Sequence, residues 1–296
     1  RQLELGLNTV FGLRYKRYPE EYRYFMQGES ETKRAFIEDV MMTGFGSAPV
    51  KGEGSGVTYD TASESYVARY YFETIALAFA ITEEAEEDAL YGDIGAQLSK
   101  ALAVSMLHTK ETKCANILNN GFDTSAAYQG GDAKPLFSAS HPLKSGENGS
   151  NLLTTAADLS ETSLEDLLVQ ISDIDDDRGI PAMIAGLRLI VPTQLQFVAH
   201  RILNAERRVE TNYNDPNAIK DMGLLPGGYK VVRRLTDTDA WFVTTDCEDG
   251  LKHIVRVPLR KGMEGDFETG NLRFKARERY IQGWSNWRGA FGTAGG

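Results

Sequence analysis

Cysteine is scarce in this chain: only Cys114 and Cys247 are present, far apart and without a second thiol or a histidine at ligand spacing. That argues against a disulfide framework and against a structural zinc site. Histidine is also rare, and none of the four forms an i,i+4 pair. Long apolar runs are missing as well. The longest, from Ile75 to Ile81, falls far short of the roughly 20 residues a membrane-crossing helix needs. The opening residues lack the charged, apolar and small-residue zones of a secretory signal, so the expectation is a soluble, cytosolic product. The chain opens on Arg1, which leaves the natural start undefined. Positive charge is in deficit too: a net charge of -10 excludes a surface that clings everywhere to nucleic acid or an anionic membrane, and leaves room only for a local basic strip.

What is present is an ordinary folding composition, 42% hydrophobic and 25% charged, in 296 residues, enough for one elaborated domain or two smaller ones. Residues 1–45 scatter aromatics without a period (Phe11, Tyr15, Tyr18, Tyr22, Tyr24, Phe25), with helical patches such as 32–42. The segment reads as an arm that must lie against something larger. A glycine-rich stretch at 44–56 leads into alternation at Val57 and Tyr59 and, past a polar tip at 60–65, at Tyr66, Ala68, Tyr70 and Phe72. This predicts a long projecting hairpin. Ile75, Leu77, Phe79 and Ile81 then enter the core.

At Thr82 the period changes to that of a helix. Thr82 suits a cap, and Glu83, Glu84, Glu86, Glu87 and Asp88 favour the positive end of the dipole. Leu90, Ile94, Leu98, Leu102 and Met106 recur every fourth residue, and Gly121 is a stop, so the spacing predicts a helix over 82–120 with room for a bend at Gly92 and Gly95. Against a mean of about 11 to 12 residues this is a spine on which other parts pack. A loop over 122–151 follows. Thr162 with Glu165 reads as a capping box for a helix carrying Leu164, Leu167, Leu168 and Ile171. A buried strand over 187–191, a helix opening at Thr193, and strands at 229–234 and 240–244 make 154–249 an α/β unit. The last part is extended at 253–258, 266–267 and 272–280, with a turn at 260–265.

Candidate chemistry is thin. KPLFSASHPL, residues 134–143, places Ser138 and Ser140 beside His141, but sequence adjacency supplies neither an orienting third group nor oxyanion donors, and the chain has no GxSxG elbow. Gly52, Gly54 and Gly56 lack the Lys-Ser/Thr of a phosphate loop. Asp173, Asp175, Asp176 and Asp177 lack the glycine and terminal glutamate of a calcium loop and read as a solvated acidic turn. His108 and His200 fall within predicted helices. One pattern is sharper: Arg273, Lys275, Arg277 and Arg279 alternate with Leu272, Phe274, Ala276 and Tyr280, so one strand shows four cations on one face. Either acids on the next strand neutralise them, or the strip faces a polyanion or an acidic neighbour. Trp284 and Trp287 cap a core or make a subunit contact.

The element order, together with GLNTVFG at 6–12, EGSGVTYD at 53–60, LFSASHPL at 136–143 and GWSNWRGAFG at 283–292, resembles the major capsid proteins of tailed bacteriophages, in particular the phage Mu type major head subunit family. The resemblance implies an α+β tailed-phage major capsid fold. Its parts would be an N-terminal arm (1–45), an extended β-hairpin loop (46–75), a peripheral domain (76–151) with the spine helix, an axial α/β domain (152–249), and return strands with a C-terminal tail (250–296). It implies a virion protein that self-assembles into pentamers and hexamers, forming an icosahedral shell around double-stranded DNA touched non-specifically at the inner surface. Scaffolding protein and portal would be partners during assembly in the host cytoplasm, and no membrane is involved. No catalytic, cofactor-binding or metal-ligating residue is assigned. Some members of the wider fold join subunits through a lysine–asparagine bond, but Lys51 at the loop root has no identifiable partner or acid catalyst, so that chemistry is not carried over. The alternatives are an encapsulin-type compartment shell and an α/β hydrolase with a site in the glycine-rich loops.

Overall fold

The computed structural model describes residues 2–27, 29–87, 91–207, 216–266 and 268–296. Helix α1 (Gln2–Tyr15) opens the chain and a 3-10 turn at Glu21–Tyr24 follows. Leu7 and Phe11, four apart on one face of α1, are buried against the long helix described below, while Leu5 and Leu13 face solvent. Strand β1 (Glu29–Glu31) runs parallel to a later strand. Strand β2 (Phe36–Met42) pairs antiparallel with β3 (Glu64–Tyr71), with Ile37 opposite Tyr70 and Val40 opposite Val67. Residues 36–42 are therefore a strand, not the helical patch expected there, and they form the outgoing arm of the hairpin in place of Val57 and Tyr59. Ile37, Asp39 and Met41 are half-buried while their neighbours are exposed, the period of two that marks a strand. Val57 and Tyr59 also alternate, but among the described residues no strand pairs with them, and 43–63 is a long connection without strand.

Strand β4 (Glu73–Ile81) leads to α2 (Glu83–Glu87) and α3 (Tyr91–Asn119). The spine expected over 82–120 corresponds to these two helices, and Leu90, within 88–90, lies outside the described residues. Helix α3 runs through Gly95 without interruption and buries Leu102, Ala103, Met106, Leu107, Cys114 and Leu118. The loop after it holds only the short pair β5 (His141–Pro142) and β6 (Asn148–Gly149). Helix α4 (Glu161–Ser172) starts two residues earlier than the Thr162 reading required. Ser160 is the cap, its Oγ accepting from Ser163 N–H at 3.1 Å while Ser163 Oγ accepts from Ser160 N–H at 2.9 Å, so serine closes the box assigned to Glu165.

The remaining elements are β7 (Gly186–Val191), α5 (Gln196–Asn204), α6 (Ala218–Met222), β8 (Tyr229–Val231), β9 (Trp241–Thr245), β10 (Leu251–Gly265), β11 (Leu272–Trp284) and β12 (Ala290–Thr293). Residues 260–265 lie inside β10 rather than in a turn; β10 and β11 stay paired to Gly265 opposite Leu272 despite register shifts near Val257. The reversal comes afterwards, with Gly270 at φ 68°, a left-handed conformation glycine adopts without steric cost. Phe267 lies outside the described residues.

Two four-stranded sheets result, ordered β1-β10-β11-β4 and β12-β9-β7-β8. The first has one face on α3 and α1, where Phe274, Ala276 and Tyr280 are buried. In the second, β9 and β12 are buried along their whole length and β8 at the edge is half-buried; Trp241 of β9 points one way to donate from its indole to Ala157 O at 3.1 Å, Phe242 the other way onto Phe122 and Phe137. Among the described residues no helix is long and apolar enough to cross a membrane.

Candidate assembly interface

The histidine of the serine–histidine motif is built into the interior, with Ser138 and Ser140 half-buried ahead of it. His141 is fully buried; its Nδ1 lies 2.6 Å from Asp132 Oδ2 and its ring stacks on Trp287 at 4.5 Å. Trp287 in turn carries the Arg288 guanidinium at 4.4 Å, and Arg288 pairs with the buried Asp177 at 3.0 Å. Neither serine bonds to His141: Ser138 Oγ accepts from Ser140 N–H at 3.2 Å, and Ser138 N–H donates to Asn151 Oδ1 at 2.9 Å. Asn151 Nδ2 donates to the carbonyls of Leu136, Trp287 and Ala290, tying the loop to the C-terminal segment. Phe137 packs between Phe122 and Phe242, at 4.9 and 5.0 Å. Gly121 permits this approach, because a Cβ there would stand 2.5 Å from the Phe137 ring. A serine nucleophile needs a paired base; the half-buried Ser138 and Ser140 are not bonded to His141, and the cluster packs the end of α3, the loop and the tail together.

The other candidate residues fall apart in space. Asp175 to Asp177 belong to a tight turn in which Asp176 Oδ1 accepts the N–H groups of Arg178 and Ile180, at 2.7 and 3.0 Å. Among the described residues no group of three or more His, Cys, Asp or Glu is placed to hold a metal. His108 is exposed, and His200 bonds Tyr229 and Asn204. Burial pushes the Cys247 thiol up to about 11 and the Cys114 thiol higher still, so both are thiols and poor nucleophiles. Trp284 and Trp287 are both core residues.

Segment 43–63 has a different character. Val50 is 99% exposed and Tyr59 93%, with Phe45 and Val57 also in solvent. Its base is closed by Thr43 N–H donating to Ser63 O at 2.8 Å, and its far side is pinned to the acidic turn by Asp60. The Asp60 carboxylate accepts from Gly46 N–H at 2.7 Å and Thr61 N–H at 2.8 Å and meets Arg178 Nη2 at 3.0 Å. Those N–H donors first, then Arg178, hold it below the usual carboxylate range. The root of the hairpin is firmer: Tyr70 O–H lies 2.6 Å from Ser285 Oγ, which donates to Asp39, itself paired with Lys252 at 2.7 Å. A segment anchored at its base and at Asp60 thus leaves several large apolar groups mostly in solvent, the arrangement of a surface that another molecule covers.

Two buried charge clusters set the relation of the parts. Under the first sheet, Lys110 of α3 meets Glu278 of β11 at 2.8 Å, both inaccessible; burial opposes the charge, but Glu278 and Tyr15 hold the ammonium firmly protonated. At the meeting of the 3-10 turn, α3 and the segment after β8, Glu111 accepts from Tyr22 N–H at 2.9 Å, and Glu21 accepts from Arg233 N–H at 3.0 Å and Arg234 at 3.3 Å. Burial raises the Glu111 carboxyl to about 7.

A family model described as phage capsid protein matches residues 66–292. The chain belongs to the phage capsid protein family. It is a structural subunit of the phage shell, and its fold is that of tailed-phage capsids. Among solved structures, this capsid protein is similar to the capsid of a native GTA particle (TM-score 0.59, 12% identity, over 94% of this chain and 90% of that one). It is also similar to the virus-like particle from Pyrococcus furiosus (TM-score 0.53, 12% identity, 97% and 98%) and the procapsid of bacteriophage JBD30 (TM-score 0.51, 14% identity, 99% and 73%). No curated protein matches the capsid protein at a significant level. The exposure of 43–63 therefore belongs to a molecule that works in copies.

Proposed function

We propose that copies of this chain form pentamers and hexamers that tile an icosahedral shell around double-stranded DNA, with the phage Mu type head subunits as the relevant branch of the family. The chain works mechanically and without catalysis, in the virion, after assembly in the host cytoplasm with a scaffolding protein and a portal. DNA is met non-specifically at the inner surface. In this reading 1–45 is the arm, 46–75 the extended loop, 76–151 and 250–296 the peripheral domain with its spine and tail, and 152–249 the axial domain. The observation that carries it is segment 43–63, anchored at both ends yet with Phe45, Val50, Val57 and Tyr59 bare. Such a loop completes its burial only on another copy, and contacts of this head-to-tail kind close into rings. Replacing Gly46 through Asp60 by a short glycine linker is expected to leave circular dichroism and melting temperature unchanged while abolishing particles in electron micrographs; normal shells from that variant would refute the loop's role. The likeness to a virus-like particle favours one second reading, a compartment shell around a protein cargo; the nucleic acid content of purified particles separates the two.

A further inference from the structure

The cationic face of β11 has the structure of an unfinished contact. Strand pairing lays out the outer face of the first sheet as a grid. On β11 stand Arg273, Lys275 and Arg277, all exposed. Opposite them on β4 are Ala80, Ala78 and Ala76. On the other side, on β10, are Glu264, Gly262 and Arg260. Arg279 leaves the strip, half-buried, its guanidinium donating to Phe72 O at 3.5 Å. A solvated, self-neutralised face would carry acids on the flanking strands. Here only Arg273 has them, being opposite Glu264 and ion-paired with Asp266. Lys275, Arg277 and Arg260 have no acidic partner among the described residues. Arg277 and Arg260 moreover stand directly opposite each other, a like-charge cross-strand pair that weakens a sheet unless an anion sits between. Three alanines on β4 leave that side of the cations free of long side chains, and Gly262 does the same for Lys275 on the β10 side, so the strip can be approached closely from the β4 edge.

Resting on the assembly reading above, we infer that this face is the electrostatic half of a contact with an acidic surface of a second copy of the chain. Complementarity on the molecule itself selects that occupant. The whole chain carries -10, so a local surplus of cations here means a larger acid surplus over the rest of the surface any second copy presents. Glu83 and Glu84 of α2, exposed and without a cation in the last turn, are part of that surplus. The same charges forbid this face from meeting its own twin across a two-fold axis. The contact is therefore between two different patches, the head-to-tail kind that closes rings. Cations on one strand face recur about every 6.6–6.8 Å, so two carboxylates on an extended or helical neighbour reach two of them together.

The test is Lys275→Gln/Arg277→Gln in the full chain, with Arg277→Lys as the conservative control and circular dichroism to confirm folding. Particle formation is followed by light scattering against protein concentration at low and high salt. The double variant is expected to need about tenfold more protein to assemble at about 50 mM salt, with the gap closing near 1 M as charges are screened, and Arg277→Lys is expected to stay near the unaltered chain. Equal thresholds and equal salt dependence in the double variant and the unaltered chain overturn the inference while leaving the assembly reading intact; no association by the unaltered chain under any condition overturns both. Loss of binding to a labelled DNA duplex with assembly untouched also overturns it, and hands the face to nucleic acid.

Discussion

The two four-stranded sheets of this capsid protein have the same strand number and opposite completeness. The β12-β9-β7-β8 sheet is finished within the chain: α4 packs on β12, α5 on β7 and β8, and β9 has no accessible residue. The β1-β10-β11-β4 sheet is finished on one face, where the covering helix brings a buried lysine–glutamate pair as well as apolar contact; on the other it is covered only at its base, where Ile254 and Ile281 meet Ala68, Tyr70 and Phe72 of the hairpin. A sheet closed on both sides specifies a subunit. A sheet left open, next to a hairpin whose connection holds bare aromatics, specifies an assembly.

That contrast can be broken by substitution. Trp241→Ala in the closed sheet is expected to cost about 3–5 kcal/mol in denaturant unfolding, because a buried indole and its bond to Ala157 are lost together. Lys275→Gln on the open face of the other sheet is expected to stay within about 0.5 kcal/mol in the same measurement. Comparable losses at both sites would erase the distinction. A second comparison lies beneath the open sheet. Lys110→Met strands the Glu278 carboxylate and is expected to cost about 3–5 kcal/mol, whereas Lys110→Met with Glu278→Gln recovers at least half of it. A double variant as unstable as the single would mean that the pair is not the source of the loss.

A milder effect than the two large losses concerns the junction between the two regions. The Glu111 carboxyl titrates near 7 in the fold and lower in the unfolded chain, so the folded state holds its proton over the interval between. Stability therefore falls as pH rises from the ordinary carboxylate range to about 7, and the penalty is complete above that. Glu111→Gln is expected to flatten that part of the stability–pH curve and to add about 1–3 kcal/mol at pH 8. An unchanged slope would show that the proton resides elsewhere.

Much of the architecture was legible in the sequence where periodicity was long. Leu102 and Met106 recur on the buried face of α3, because many repeats of one period leave little ambiguity, and the unbroken apolar run 187–191 became the buried strand β7. Short signals misled. Ile37, Asp39 and Met41 read as helix because seven residues distinguish the two periods poorly, and the pairing of β2 with β3 across 43–63 is a long-range fact that no local pattern contains. The box at Ser160 was missed because serine at the third position is a weaker sign than Glu165. At the motif KPLFSASHPL, adjacency in the sequence identified neither the pairing of His141 with Asp132 nor its stack on Trp287, which joins residues far apart in the chain. The cationic strip was visible from its alternation; the alanines that leave it unpaired became visible only once β4 lay beside β11.

The most direct test of the central claim, that the open sheet face and segment 43–63 are completed by neighbouring copies, is side-chain footprinting by mass spectrometry on the same protein before and after assembly. Phe45, Val57, Tyr59 and Lys275 are expected to lose most of their labelling in particles, while Trp241 and Phe242 stay protected in both states. Particles in which those four side chains label as freely as in the dissociated subunit would contradict the account.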